Sequence, residues 1–144
     1  MRISTKCSIA IHCLLFLHEY GEKKKVTSSL LALSAGCNPV VIRNIMSALK
    51  KAEIICIAAG TGGPSLLLPP DEITLYQVYT AVENDGLRNL IGIHPMPSAL
   101  CPIGRNIRTV LQKPYETVQA DMRASLQAVT LADFINEFHQ IEDK

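Results

Sequence analysis

The first apolar stretch of the chain predicts a helix that is covered on more than one side. From Ser4 to Tyr20 no proline or glycine interrupts the sequence, and apolar residues occupy nearly every helical face until Gly21. A helix that is apolar all round is buried on several sides. In so small a protein, this pattern indicates that a second chain packs against the helix.

A short second helix is predicted over Leu30–Ala35. Its N-cap candidates are three consecutive hydroxyl residues, Thr27, Ser28 and Ser29, whose side chains can accept hydrogen bonds from first-turn amides. Gly36 stands where the end of a helix favours the left-handed conformation. The chain is therefore expected to turn sharply at this glycine.

A third helix is predicted to begin after Asn38, a good N-cap, with Pro39 as its first residue, and to run to about Lys51. The positions that fall on one buried stripe at helical spacing are Ile42, Ile45, Met46 and Leu49. The positions that fall on the other face are Val40, Val41, Arg43, Asn44, Ser47, Lys50 and Lys51. Two helices joined by a tight turn with glycine, the second presenting Arg and Asn early, are typical of a helix-turn-helix.

Two short apolar runs around a glycine cluster predict a β-hairpin. The runs are Ile54–Ala58 and Ser65–Leu68, and the residues between them include Gly60, Gly62 and Gly63. The proline pair at 69 and 70 should stop the second strand, because proline cannot donate to a ladder. A hairpin directly after a recognition-type helix is the wing of a winged helix.

The rest of the chain predicts three more helices around an irregular segment. Thr74 opens the first with a capping box and the helix ends near residues 84–86, before an irregular, proline-rich stretch over 87–102. A long amphipathic helix follows from Ile103 to Leu126, which Pro114 should kink or split. Thr130 begins the last helix. The fold is therefore expected to be mainly α with a small β-hairpin, as a winged helix-turn-helix over 1–84 and a sensor-like loop with dimerisation helices over 85–144.

Composition places the chain among globular proteins of one domain. It has 144 residues, of which 48% are hydrophobic and 19% charged, which excludes intrinsic disorder. Its five cysteines are odd in number and form no C-x-x-C pair, which argues against a disulfide framework or a zinc ribbon. No apolar run is long enough to span a bilayer, and no secretory signal is evident. A cytoplasmic protein with reduced thiols and no membrane partner is expected.

The net charge of +1 conceals an asymmetry along the chain. Up to Pro69 the formal charge is +5, and from Pro70 onward it is −4. A basic half joined to an acidic half favours a module that binds a polyanion, although chance clustering of solvated charge remains an alternative. Double-stranded DNA is the expected partner.

The candidate DNA contacts follow from the chemistry of the major groove. Arg43 can pair with guanine and Asn44 with adenine, Lys50 and Lys51 suit phosphates, and glycines at the wing tip allow close approach to the backbone. An ordinary solvated helix face is the alternative for the residues of the third helix. The full set is Ser28, Asn38, Val40, Val41, Arg43, Asn44, Ser47, Lys50, Lys51, Gly60, Thr61 and Gly62.

Other chemistry finds little support in the sequence. The glycine cluster is not followed by Gly-Lys-Ser/Thr, so a nucleotide site is disfavoured, and the four histidines are too scattered to share a metal. No catalytic constellation stands out, and neither an enzyme nor a cofactor is expected. Cys101, in a segment expected to be exposed, is either a redox-sensing thiol that Arg105 could acidify or an inert cysteine that caps the start of a helix.

Several motifs resemble the Rrf2 family of bacterial winged-helix regulators, over nearly the whole chain to about Leu126. Within the family the resemblance is to small, YwnA-like members, which share a His-Pro-x-Pro…Cys-Pro segment. The motifs are Arg2-Ile3-Ser4, Ala35-Gly36-Cys37-Asn38-Pro39, Leu49-Lys50-Lys51-Ala52-Glu53-Ile54-Ile55, Gly60-Thr61-Gly62-Gly63 and Ile73-Thr74-Leu75-Tyr76-Gln77-Val78-Tyr79.

The resemblance implies a homodimer in which the long helix packs near the first helix of the partner, with two recognition helices about 34 Å apart on a palindromic operator. Cluster-binding members carry three cysteines spaced C-x5-C-x5-C. Here Cys101 matches the last of them, but Pro95 and Asn89 stand six and twelve positions earlier. No iron–sulfur cluster is therefore expected.

The sequence thus predicts a homodimeric, sequence-specific transcriptional regulator, most simply a repressor, with an unidentified small-molecule or redox effector. The alternative is a redox- or ligand-sensing protein whose DNA binding is vestigial. A third possibility, an enzyme that uses the glycine loop, is the least supported by the residues.

Overall fold

The computed structural model describes residues 4–60, 62–88 and 90–144, and its elements follow the predicted order. They are α1 (Lys6–Tyr20), α2 (Ser28–Ala35), α3 (Pro39–Lys51), β1 (Ile55–Ala58), β2 (Gly63–Leu66), a 3-10 turn (Pro70–Glu72), α4 (Leu75–Val82), α5 (Pro102–Ala128) and α6 (Leu131–Glu142). The predicted fold class, helices with one antiparallel hairpin in a winged helix, is confirmed.

Short polar side chains set where most of the helices begin. The Thr27 hydroxyl accepts a hydrogen bond from the Leu30 amide at 3.1 Å, and Asn38 Oδ1 accepts one from the Val40 amide at 2.8 Å. Because Thr27 is the cap that is used, α2 begins at Ser28, two residues before the predicted start at Leu30. Capping boxes open α4 at Thr74 and α6 at Thr130.

One hydrophobic core joins the N-terminal elements to the last helix. From α1 it takes Ala10, Cys13, Leu14 and Leu17, and from α6 it takes Leu131 and Ile135. Burial raises the pKa of the Cys13 thiol to about 12, with a smaller contribution from the nearby Cys37, so this thiol is protonated at neutral pH. The middle of the core is formed by α3 and by Ile54, Ile55, Ile73 and Val78.

The hairpin is shifted toward the glycine cluster relative to the prediction. The second strand runs from Gly63 to Leu66 rather than over Ser65–Leu68, and it pairs antiparallel with β1 from Ala58↔Gly63 to Ile55↔Leu66. Gly63 has φ +69°, a left-handed conformation that a side chain would disfavour, so the glycine is what lets the strand begin directly after the wing tip.

The long helix α5 is continuous, so of the two predicted effects of Pro114, a kink or a split, the split is wrong. It runs for 27 residues with Pro114 inside it, and none of its residues is buried. A proline leaves the carbonyl four residues earlier without its amide partner, here that of Val110. Since Val110 is 62% exposed, water can reach this region and satisfy the carbonyl. Neither α5 nor any other single helix in the described segments is long and apolar enough to cross a bilayer.

In addition to its packing in the core, the last helix is joined to the N-terminal region by backbone hydrogen bonds and by a side-chain hydrogen bond. Thr74 and Thr130 form an antiparallel bridge, in which the Leu75 amide donates to the Val129 carbonyl at 2.8 Å. His139 Nε2 lies 2.6 Å from Glu19 Oε1. Partial burial raises the pKa of the Glu19 carboxyl, but its contacts with His139 and His18 outweigh this and lower the pKa overall.

Candidate nucleic-acid interface

The turn between α2 and α3 has the geometry of a helix-turn-helix. The two helix axes are bent by 111° relative to each other, within the range of about 90–120° for this motif. Gly36 ends α2 with φ +67°, and the Cys37 amide donates to the Ala32 carbonyl at 3.1 Å. This closure, with Asn38 as the next N-cap, fixes the direction in which α3 leaves the turn.

Each predicted face of α3 lies where its pattern placed it. Ile42 and Leu49 are 0% exposed and anchor the helix in the core. Because four side chains on one stripe are buried, α3 cannot rotate without exposing them, and its outer face is held toward solvent. The outer residues are all exposed; they are Val40, Val41, Arg43, Asn44, Ser47, Lys50 and Lys51.

The positive charges on α3 are free of carboxylate partners. Both ion pairs among residues 4–60, 62–88 and 90–144 involve Glu19 with a histidine. Arg43, Lys50 and Lys51 therefore have no carboxylate oxygen of that part of the chain within 4.0 Å. Such charges remain available to an anionic partner, and Lys50 and Lys51 lie in the last turn of the helix, away from Arg43.

The wing tip has a compact backbone in which side chains have little room. Gly60 has φ +79°, and a Cβ on Gly62 would lie 2.6 Å from the Cβ of Ala58, too close for any residue larger than glycine. Gly60 and Gly62 are exposed, so another backbone can approach them. Thr61, also a predicted contact, lies outside the described residues.

Three further residues lie in or beside the elements that form this surface. Ser28, a predicted contact, is the first residue of α2 and is half-buried. Lys6 shares a cavity of about 280 Å³ with Val41 and Asn44 of α3, and Lys25 lies beside Gly63 of the wing. Neither lysine is among the contacts predicted from the sequence, because only their charge pointed to DNA and their neighbours come from distant parts of the chain.

Cys101 is exposed at the N-terminus of α5, as the sequence predicted. The backbone amides of Gly104 and then Ile103 favour the thiolate and lower the pKa of this thiol. The pKa of Cys101 is thus lowered by backbone amides at the start of α5, whereas the Arg105 side chain was expected to lower it. The other cysteines differ: Cys13 is buried, and the pKa of Cys7 is raised by burial and by Glu83.

Side chains that ligate metals do not converge in the described part of the chain. No group of three or more His, Cys, Asp or Glu residues there could hold a metal ion. Three of the histidines are engaged elsewhere, since His12 contacts the Ser34 hydroxyl at 2.8 Å and both His18 and His139 contact Glu19. Cys101 therefore belongs to no such group of the described residues.

Comparison with known proteins agrees with this geometry. Residues 3–137 match the family model Rrf2, described as an iron-dependent transcriptional regulator. The chain is 36% identical over 134 residues to YwnA of Bacillus subtilis strain 168, whose name places it among helix-turn-helix transcriptional regulators; the match covers 93% of this chain and 97% of YwnA.

Two solved structures are also similar. A protein described as DNA-binding is 34% identical, with a TM-score of 0.72 over 90% of this chain and 98% of that one. A protein of Lactobacillus plantarum described as a transcriptional regulator is 27% identical, with a TM-score of 0.75 over 99% of this chain and 100% of that one. Members of this family regulate transcription and are not enzymes. The chain belongs to the Rrf2 family of transcriptional regulators.

Proposed function

We propose that the protein is a homodimeric, sequence-specific regulator that binds double-stranded DNA at a palindromic operator in the cytoplasm and acts as a repressor. The observation that carries this proposal is the outer face of α3, which is exposed along its whole length and is fixed in direction by the buried stripe behind it. A helix presented in this way fits the major groove of B-form DNA.

Within the proposed interface the residues of α3 divide the work by position. Arg43 and Asn44 lie in the early turns, where helix-turn-helix proteins contact base edges, and can pair with guanine and adenine. Lys50 and Lys51 lie at the far end and suit phosphates, which set affinity but not sequence. Gly60 and Gly62 allow the wing tip to approach the sugar–phosphate backbone.

The exposed apolar side of α5 supports a second subunit. Ile103, Val110 and Val118 are 72%, 62% and 44% exposed, and exposed apolar residues repeated along one helix are typical of a protein–protein contact. A dimer through α5 would place two recognition helices on one operator. Residues 1–84 would then bind DNA while residues 85–144 join the subunits and respond to an effector.

The family description includes iron, but the side chains of the described residues do not offer the ligands that an iron site needs. Iron–sulfur clusters are held mostly by several thiolates, whereas the segment before α5 offers the single thiol of Cys101. The described residues do not fit such a site. The proposed function therefore includes no step through iron.

The decisive experiment compares Arg43→Ala with Lys51→Ala on two DNAs. Since such regulators often control their own gene, the probe is the DNA directly upstream of that gene, and the reference is a random duplex of equal length. Arg43→Ala should reduce the preference for the upstream DNA by about 1–3 kcal/mol. Lys51→Ala should weaken binding to both DNAs together and lower the salt slope by about one unit.

If Arg43→Ala leaves the preference unchanged, α3 does not read bases through this residue. Equal affinity of the unchanged protein for both DNAs would argue against sequence-specific binding at this site.

A second candidate function is redox sensing with vestigial DNA binding. The exposed Cys101, whose pKa is lowered by the start of α5, favours it. A gel-shift titration of the unchanged protein on the same two duplexes separates the two functions, because a protein with vestigial DNA binding would shift neither duplex even at low salt.

A further inference from the structure

Three consecutive lysines precede α2, and the structure places them in different surroundings. The Lys24 ammonium lies 4.8 Å from the centre of the Tyr20 ring and 5.7 Å from that of Phe16, and the Lys23 ammonium lies 5.7 Å from the Tyr20 ring. Cation–π attraction therefore holds both charges at the end of α1. They are turned toward the aromatic side chains of their own chain.

Lys25 instead lies against the wing. Its Cγ is 3.9 Å from the position that a Cβ would take on Gly63, and the carbonyl oxygen of Val26 is 3.5 Å from the same position. Gly63 pairs with Ala58 where the two strands meet the wing tip. The aliphatic stem of Lys25 thus contacts the hairpin at Gly63, the first residue of β2.

The charge of Lys25 has no competing partner in the described segments. No carboxylate there lies within ion-pair distance of its ammonium, and it makes none of the cation–π contacts found for the two lysines before it. Lys25 is exposed, so its head group can reach outward while its stem stays packed on the hairpin.

We propose that Lys25 is a DNA-phosphate contact beside the wing tip, whereas Lys23 and Lys24 are not. The inference rests on the proposed function and extends its surface to a residue between the start of α2 and the wing. A duplex seated on α3 with the wing alongside presents phosphates to this position. A lysine ammonium on a flexible stem suits a phosphate better than a base edge, so Lys25 adds affinity without sequence preference.

The test compares Lys25→Gln with Lys23→Gln and Lys24→Gln, each of which removes one charge from the same loop and keeps most of the stem. The probe is a fluorescein-labelled mixed-sequence duplex of about 30 base pairs, followed by fluorescence anisotropy from roughly 50 to 200 mM salt. Lys25→Gln should lower the slope of log affinity against log salt by about 0.9 and weaken binding about eightfold at 0.1 M salt. The other two variants should keep the slope of the unchanged protein.

One further variant and one further measurement make the result decisive. Lys25→Arg keeps the charge and should keep the slope. Melting temperatures separate binding from folding, because Lys24→Gln loses its aromatic contact and should melt earlier, while Lys25→Gln should melt like the unchanged protein.

The proposal is overturned if Lys25→Gln keeps the full slope, if all three glutamine variants lower it equally, or if Lys25→Gln melts earlier than Lys24→Gln. In each of these cases the unchanged protein still binds DNA and the proposed function stands. If the unchanged protein binds the duplex at no salt concentration, both the proposed function and the role of Lys25 fail.

Discussion

The helix α3 and the helix α5 are built on opposite plans. Four side chains of α3 are buried, whereas none of the 27 residues of α5 is. Helices in folded proteins are stabilised mainly by packing of an apolar face, and within this chain α3 has such packing to a much greater extent than α5. The difference supports the proposal that the two helices serve different partners, DNA for α3 and a second protein subunit for α5.

The comparison is tested most severely in the buried stripe of α3. Ile42→Ala removes a side chain that is 0% exposed and should lower the free energy of unfolding by about 3 kcal/mol, because a cavity replaces it. Val40→Ala, on the exposed face, should change it by less than about 0.5 kcal/mol. Urea denaturation at one fixed protein concentration measures both. Equal losses would mean that α3 has no distinct inner and outer face.

The next effect concerns the subunit contact of α5. The unchanged protein should scatter light as a particle of about twice the 15.8 kDa chain mass at micromolar concentration. Val110→Asp should reduce the mass to that of one chain, because a carboxylate would be buried in the contact, while helical circular dichroism persists. Gln112→Asp adds the same charge on the opposite side of α5 and is the matched control. If the unchanged protein is a monomer, the proposed subunit contact through α5 is wrong.

The smallest effect is expected at the exposed start of α5. Since the pKa of Cys101 is lowered, more of this thiol is ionised at pH 7 than of an ordinary cysteine, and iodoacetamide should modify it first among the five. Mass spectrometry after a short exposure identifies the modified residue. Peroxide should lower operator affinity a few-fold in the unchanged protein and leave Cys101→Ser unaffected. The redox proposal fails if both respond alike.

Local chemistry made much of the N-terminal region predictable. The cap at Asn38, the turn at Gly36 and the stripe behind α3 each depend on a few neighbouring residues, and all appear as predicted. Prediction from local sequence failed where pairing with a distant part of the chain determines the secondary structure. Glycine and proline at 63 and 64 are poor strand residues by themselves, yet their pairing with β1 makes them the start of β2.

The C-terminal region was harder to predict for a different reason. The effect of Pro114 depends on whether water can reach the carbonyl it leaves free, and a sequence does not state the exposure of Val110.

Lys25 was overlooked because its neighbour Gly63 lies 38 positions further along the chain. The candidate DNA residues on α3 and the glycines of the wing tip could be chosen from the sequence, whereas Lys25 needed the tertiary fold.

The bridge between Thr74 and Thr130 fixes one end of α5 beside the start of α4. It anchors the chain two residues beyond the end of the helix at Ala128, while Cys101 sits at the other end, about 40 Å away at 1.5 Å per residue. A tilt of about 10° around the anchored end would displace the other end by about 7 Å at this length. The half of α5 nearer this bridge is also held, because the Gln119 side-chain amide donates to the Arg88 carbonyl at 3.2 Å and Arg123 lies over the Tyr76 ring. A change in the angle of α5 would therefore move Cys101 much further than Ala128.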